Sequence, residues 1–145
     1  MDVNNSLIFD KLNLIKNLIL LGKSDSNLTE MEIDIITQIA KHHKLTYKDI
    51  DFIITHSDQI PFSIPKTFTE RLSALYDLVV LMVSDLEIHQ NEKAFCVDLA
   101  MKYEFNPQII DELIEDVLGF VIEGKECDDV MQYLTKYAHP KANLN

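Results

Sequence analysis

The residues most able to do chemistry sit in two short polar turns, each placed ahead of an amphipathic stretch. One is Asp25-Ser26-Asn27-Leu28-Thr29-Glu30-Met31-Glu32 and the other is Asp85-Leu86-Glu87-Ile88-His89-Gln90-Asn91-Glu92. Both fit Asp-x-(Asn/Glu)-aliphatic-x-x-x-Glu. Oxygen donors from a loop, joined by a carboxylate one helical turn later, can converge on a hard cation such as calcium, magnesium or manganese. The second turn carries three acids, Asp85, Glu87 and Glu92, and is the stronger candidate; Asp25 and Glu32 form a weaker first copy. Neither turn is a calcium EF-hand loop, which runs for about twelve residues with a Gly near its middle. The same acids have an ordinary alternative role. A carboxylate in the first turn of a helix caps free amides and is favoured by the helix dipole, and Leu28 and Ile88 then act as apolar plugs. Ligation and capping both fit the spacing.

Other chemistries find little support. His89 could add a nitrogen ligand, but its counterpart in the first turn is Thr29. No His-Glu-x-x-His pair points to a zinc hydrolase. No Gly-x-Ser-x-Gly elbow is present, and Cys96 and Cys127 stand apart with no Cys-x-x-Cys spacing, which reads as two buried free thiols in a reducing compartment. Three scattered glycines do not make a phosphate loop. The net charge of -11 argues against nucleic acid as a partner, because phosphate binding needs a basic stripe. The N-terminus lacks the basic start of a signal peptide. The longest apolar run, Leu78 to Val83, is six residues, and a membrane-spanning helix needs about 20. The expected setting is cytoplasmic, with no membrane insertion.

The elements that position the two turns follow from an internal repeat. Displaced by sixty positions, Leu18 to Ile54 lies over Leu78 to Ile114 without a gap. Identical pairs include Leu18 and Leu78, Ser24 and Ser84, Asp25 and Asp85, Glu32 and Glu92, Ala40 and Ala100, and Asp51 and Asp111. Apolar matches follow from helical periodicity alone; the matched polar residues do not. The chain reads as a single all-α domain over residues 1–145, a compact bundle of about seven helices. Two related three-helix halves occupy 7–57 and 67–123, and a seventh helix lies near 127–138, stopped by Pro140.

In each half a long apolar helix comes first, at Leu7 to Leu21 and at Phe68 to Val83. Helices that are apolar on nearly all sides belong in the centre of a bundle, so these two are the expected heart. The second helices begin at Thr29 and His89, and Thr29 with Glu32 has capping-box spacing. Ile33, Ile36, Ile39 and Ala40 form the expected buried face of the first, and Phe95, Cys96, Leu99 and Ala100 that of the second. The third helices follow Thr46 and Asn106, with Asn106-Pro107 read as a cap and first residue. Ile50, Phe52 and Ile53 face the core in one, and Ile109, Ile110, Leu113 and Ile114 in the other. Ser57 to Lys66, holding Pro61 and Pro65, is the connecting loop. Thr67 with Glu70 offers another capping box, and Gly124 ends the sixth helix.

Val79 to Ile88, followed by Glu92, resembles the signature of the TerB-like (tellurite-resistance B) family: an apolar helix, a small residue, an Asp, a polar and an aliphatic residue, and a Glu opening the next helix. Leu99-Ala100 and the break at Phe105 to Pro107 are similar too, and the likeness extends over most of residues 7 to 138. The family's usual Gly after the Asp is Leu86 here and Ser26 in the first copy. The resemblance implies a mainly helical fold and a bacterial stress-response setting linked to tellurite. It also implies a protein partner held at a membrane, as in the Ter system and in DjlA-type co-chaperones, and metal ligation at Asp85, Glu87 and Glu92. The function expected is a non-enzymatic binding or scaffold module responsive to a divalent cation. The alternatives are a metal-dependent hydrolase and an interaction domain with no metal.

Overall fold

In the computed structural model, which describes residues 3–24, 27–84 and 89–138, the chain is all-helical. Seven α-helices occur among the described residues: α1 (Val3–Gly22), α2 (Glu30–His42), α3 (Tyr47–Thr55), α4 (Phe68–Met82), α5 (Gln90–Lys102), α6 (Ile110–Ile122) and α7 (Cys127–Leu134). Short 3-10 turns cover Ser57–Gln59 and Thr135–Ala138. None of the helices is long and apolar enough to cross a membrane. The last helix, expected over about 127–138, is α-helical to Leu134 and continues as the 3-10 turn Thr135–Ala138; Pro140, expected to stop it, lies outside the described residues.

Helices α1 and α4 pack against each other more extensively than any other pair. Ile15, Leu18, Leu21, Leu72, Leu75, Leu78 and Val79 are fully buried along them. Each central helix is then clad by the second and third helices of its own half. Each also touches the second helix of the other half, α1 against α5 and α2 against α4. This leaves little of either central helix facing water, as their all-round apolar sequences require.

The two halves share their order of helices, and their second helices share register as well. α2 and α5 begin and end sixty positions apart. Each closes on a non-glycine residue in the left-handed region, Lys44 at φ 67° and Glu104 at φ 69°. Around these residues the same bonds recur. Leu45 N–H donates to the Ala40 carbonyl at 2.9 Å and Phe105 N–H to the Ala100 carbonyl at 3.1 Å. This is the Schellman closure, usually built on glycine. Gly124, φ 80°, closes α6 in the same way, with Lys125 N–H donating to the Phe120 carbonyl.

Three capping boxes start helices: Thr29 with Glu32, Thr46 with Asp49, and Thr67 with Glu70. The sequence reading misses the middle one, where the acid is Asp. Other expectations need correction. Ile33 and Phe52 are exposed at 48% and 44%. The buried stripe of α2 runs through Glu32, Ile36 and Ala40, which leaves Ile33, about 60° round from Ile36, at its edge in the exposed first turns of the helix. Phe52 instead stacks on His56, with ring centroids 4.7 Å apart, at the outer end of α3. Leu20 also faces solvent. Asn106-Pro107 does not open α6. The Asn106 side chain accepts from Gln108 N–H at 3.0 Å and its carbonyl from Ile109 N–H. An Asx-turn results, and the helix starts at Ile110.

The strained closures give a direct test. Lys44→Gly and Glu104→Gly should each stabilise the protein by roughly 0.5–1 kcal/mol, because glycine carries no steric penalty at positive φ. A valine at either position should destabilise it. Urea midpoints would show both effects, and loss of stability in the glycine variants would contradict the left-handed closures.

Candidate functional site

Among the described residues, two of the places where polar side chains gather lie at matched positions of the two halves; a third, where Tyr137 and Lys136 meet Glu112 and Asp116, does not. The first is the start of the second helices. In α2, Glu32 is buried to 9% exposure. Its Oε1 accepts from Thr29 N–H at 2.9 Å and from the Thr29 hydroxyl at 3.2 Å, while Glu32 N–H donates back to Thr29 Oγ1 at 3.1 Å. Leu28 lies against Gly22, so close that a Cβ there would stand 2.4 Å from Leu28 Cδ2 and 3.7 Å from the Glu32 carboxyl. The first-copy acid Glu32 is thus a helix cap under an apolar plug.

The repeat partner Glu92 is buried more deeply, at 3% exposure. It heads the stripe Glu92, Cys96, Leu99, Ala100 that α5 turns to the core. The N-cap there is His89, whose side chain makes no capping bond, so the reciprocal box of the first copy is not reproduced. One turn on, burial and then the Glu92 charge push the Cys96 thiol up to about 12. Asp25, Ser26 and the run Asp85-Leu86-Glu87-Ile88 lie outside the described residues. Among the described residues, no cluster of three or more His, Cys, Asp or Glu side chains is arranged to hold a metal.

The second place was not singled out by the sequence. It lies where α1 and α4 cross, and its residues are repeat partners. His43, at the end of α2, reaches across to α4, with Nε2 3.5 Å from Asp77 Oδ2. Tyr103, at the end of α5, reaches across to α1, where Asn17 Nδ2 donates to its hydroxyl at 3.4 Å. His43 matches Tyr103 and Asp77 matches Asn17 under the same sixty-residue shift. Each half therefore braces the other's central helix through the residue that precedes its left-handed closure. One brace is neutral and buried; the other is ionisable and partly open, with Asp77 23% exposed.

The neutral brace extends into a polar seam. Asn17 also donates to Asn13 Oδ1 at 3.2 Å, and Asn13 donates to the Pro61 carbonyl. Lys16 Nζ donates to the Ile60 carbonyl at 2.9 Å, Ser63 donates to Asp10, and Arg71 Nε donates to the Pro65 carbonyl at 2.7 Å. These bonds tie the connecting loop down across α1 and α4. The visible signal was Asn13 and Asn17, two amides one turn apart inside an apolar helix.

Neither thiol suits nucleophilic chemistry. Burial, aided by the charges of Asp77 and Asp128, pushes Cys127 up to about 11, although a hydrogen bond from Ser73 works the other way. A protonated thiol is a poor nucleophile. No family model, no curated protein and no solved structure matches this chain.

Acids whose burial raises their pKa set an alkaline limit: Tyr76, Tyr103 and Cys96 are buried, while Cys127, expected to be buried, is only partly so. Tyr76 and Tyr103 rise from 10.0 to about 12, Cys96 from 9.0 to about 12 and Cys127 from 9.0 to about 11, each mainly through burial. Above pH 9 the unfolded chain gives up these protons first, so it binds fewer protons than the folded state and stability falls with rising pH. Stability against urea should carry no loss from these groups below about pH 9 and should decline from there to about pH 12. Tyr103→Phe should remove part of that decline. It should also cost about 1 kcal/mol at neutral pH through the lost bond to Asn17. A urea midpoint constant to pH 12 would contradict the burial of these groups.

Proposed function

We propose that this chain is a non-enzymatic binding module of TerB-like build, in which the turn between α4 and α5 takes one divalent cation through Asp85, Glu87 and Glu92. The observation that carries this reading is the Glu92 carboxylate, buried to 3% exposure at the head of the apolar stripe of α5. Two further acids, Asp85 and Glu87, precede it in the sequence by seven and five positions. Carboxylate oxygens are hard donors and favour calcium, magnesium or manganese over softer metals.

The first copy supports the same division of labour. Glu32 is engaged with Thr29, and that turn serves as a cap. Two similar turns on one scaffold would then have separate roles, one holding the fold and one sensing an ion. A bound cation would fix the approach from α4 into α5 and so offer a protein partner, membrane-held by the family resemblance, a surface that depends on the ion. The net charge of -11 suits a basic partner surface.

The experiment is calorimetric titration of metal-stripped protein with calcium, magnesium, manganese and zinc, beside an Asp85→Asn, Glu87→Gln double variant. The expected result is saturable binding of about one equivalent of a hard cation, absent from a variant that stays folded. Cation at a hundredfold excess over its dissociation constant should add about 2.7 kcal/mol of stability. If no cation binds saturably, the second turn holds no ion, and the module recognises its partner without one.

A further inference from the structure

The brace region opens into a cleft of about 160 Å³, lined by Asp10, Lys11 and Leu14 of α1, Glu70, Ser73 and Ala74 of α4, with His43, Tyr103 and Pro65. Its lining draws on matched positions of the two halves: Asp10 matches Glu70, Leu14 matches Ala74, and His43 matches Tyr103 under the sixty-residue shift. The match is uneven in volume, since α1 contributes Leu14 where α4 contributes the smaller Ala74. It is kept in charge, since Asp10 and Glu70 bring one carboxylate from each half.

We propose that this cleft binds a small primary amine with an apolar body, such as an arylalkylamine. The volume is that of a single ring: an apolar cavity of about 150 Å³ takes benzene. Leu14, Ala74 and the ring of Tyr103 supply the apolar walls. Asp10 and Glu70 supply the countercharge for an ammonium. Their known bonds do not use them up. Ser63 donates to one oxygen of Asp10, and Thr67 donates to Glu70 Oε1 through its N–H at 3.2 Å and its hydroxyl at 3.0 Å, whereas a carboxylate accepts about four hydrogen bonds. Lys11 is the one fixed cation of the lining, and His43 is engaged with Asp77. An anion would meet two carboxylates at the same walls. The site shares no residue with the acidic turn before α5, so the two proposals stand or fall separately.

The test is NMR titration of the full chain with benzylamine, benzyl alcohol and benzoate. Benzylamine should bind saturably and shift the resonances of Leu14, Ala74 and Tyr103. Benzyl alcohol should bind several-fold more weakly and benzoate not at all. Added salt should weaken the amine alone. Ala74→Leu, which restores the side chain found at the matching position, should abolish binding. Glu70→Gln, which keeps the capping box, should weaken benzylamine about threefold, the worth of one partly exposed ion pair. Melting curves show whether each variant is folded. Benzoate binding as well as benzylamine, no saturable shift with benzylamine, or undiminished binding in folded Ala74→Leu would each overturn the proposal. Should Ala74→Leu fail to fold, the Glu70→Gln variant and the salt dependence decide it.

Discussion

The crossing of α1 and α4 is the constraint on which the rest of the molecule depends. Two helices that are apolar on most sides cannot be left beside a single neighbour, because each exposed face costs about 25 cal/mol per Å² of apolar surface. Four further helices must clad them. The arrangement that does so gives each central helix the second and third helices of its own half and the second helix of the other. That cross-over carries the ends of α2 and α5 over the seam, where His43 and Tyr103 meet the opposite central helix. The left-handed residues Lys44 and Glu104 follow from the same geometry. The chain must turn sharply there to send α3 and α6 back along their own halves, and it does so without glycine.

Much of this was legible. The sixty-residue repeat, the all-round apolar helices and the threonine-to-glutamate spacings of two capping boxes are local patterns with a local physical cause. The exposed Ile33, Leu20 and Phe52 were not legible, because periodicity says that a helix has a buried face but fixes its centre only to within about a quarter-turn. Asn106-Pro107 misled for a related reason. The Asn side chain can bond to an amide two residues on in a turn as readily as it can cap a helix, and only the path of the chain decides between them.

The two candidate sites differ in how far the sequence reached. The acidic turns were visible as residues, and the cap at Glu32 as a spacing. The depth of Glu92 was not, since a carboxylate at the head of an apolar stripe looks like its polar border. The cleft was invisible altogether. Its paired residues, Asp10 with Glu70 and Leu14 with Ala74, are unlike enough to fall outside the aligned core of the repeat. The same sixty-residue shift pairs them, but nothing in the sequence marks them as lining one cleft.

Both sites arise where the two halves stop being alike. Leu14 of one half is matched by Ala74 of the other, and the buried Tyr-Asn brace is matched by a His-Asp brace that is partly open. The same holds at the helix starts, where Thr29 completes a box with Glu32 and His89 does not complete one with Glu92. Hydroxyl, thiol and imidazole groups do come together near the second brace. Ser73 bonds to Cys127, Cys127 is held protonated, and His43 faces Asp77. Nucleophilic catalysis needs a base within hydrogen-bond reach of the group that it activates. Here the serine is engaged with a thiol and the imidazole nitrogen with a carboxylate. Divergence between the halves has thus left different chemical groups, differently engaged, at matched positions of the two halves.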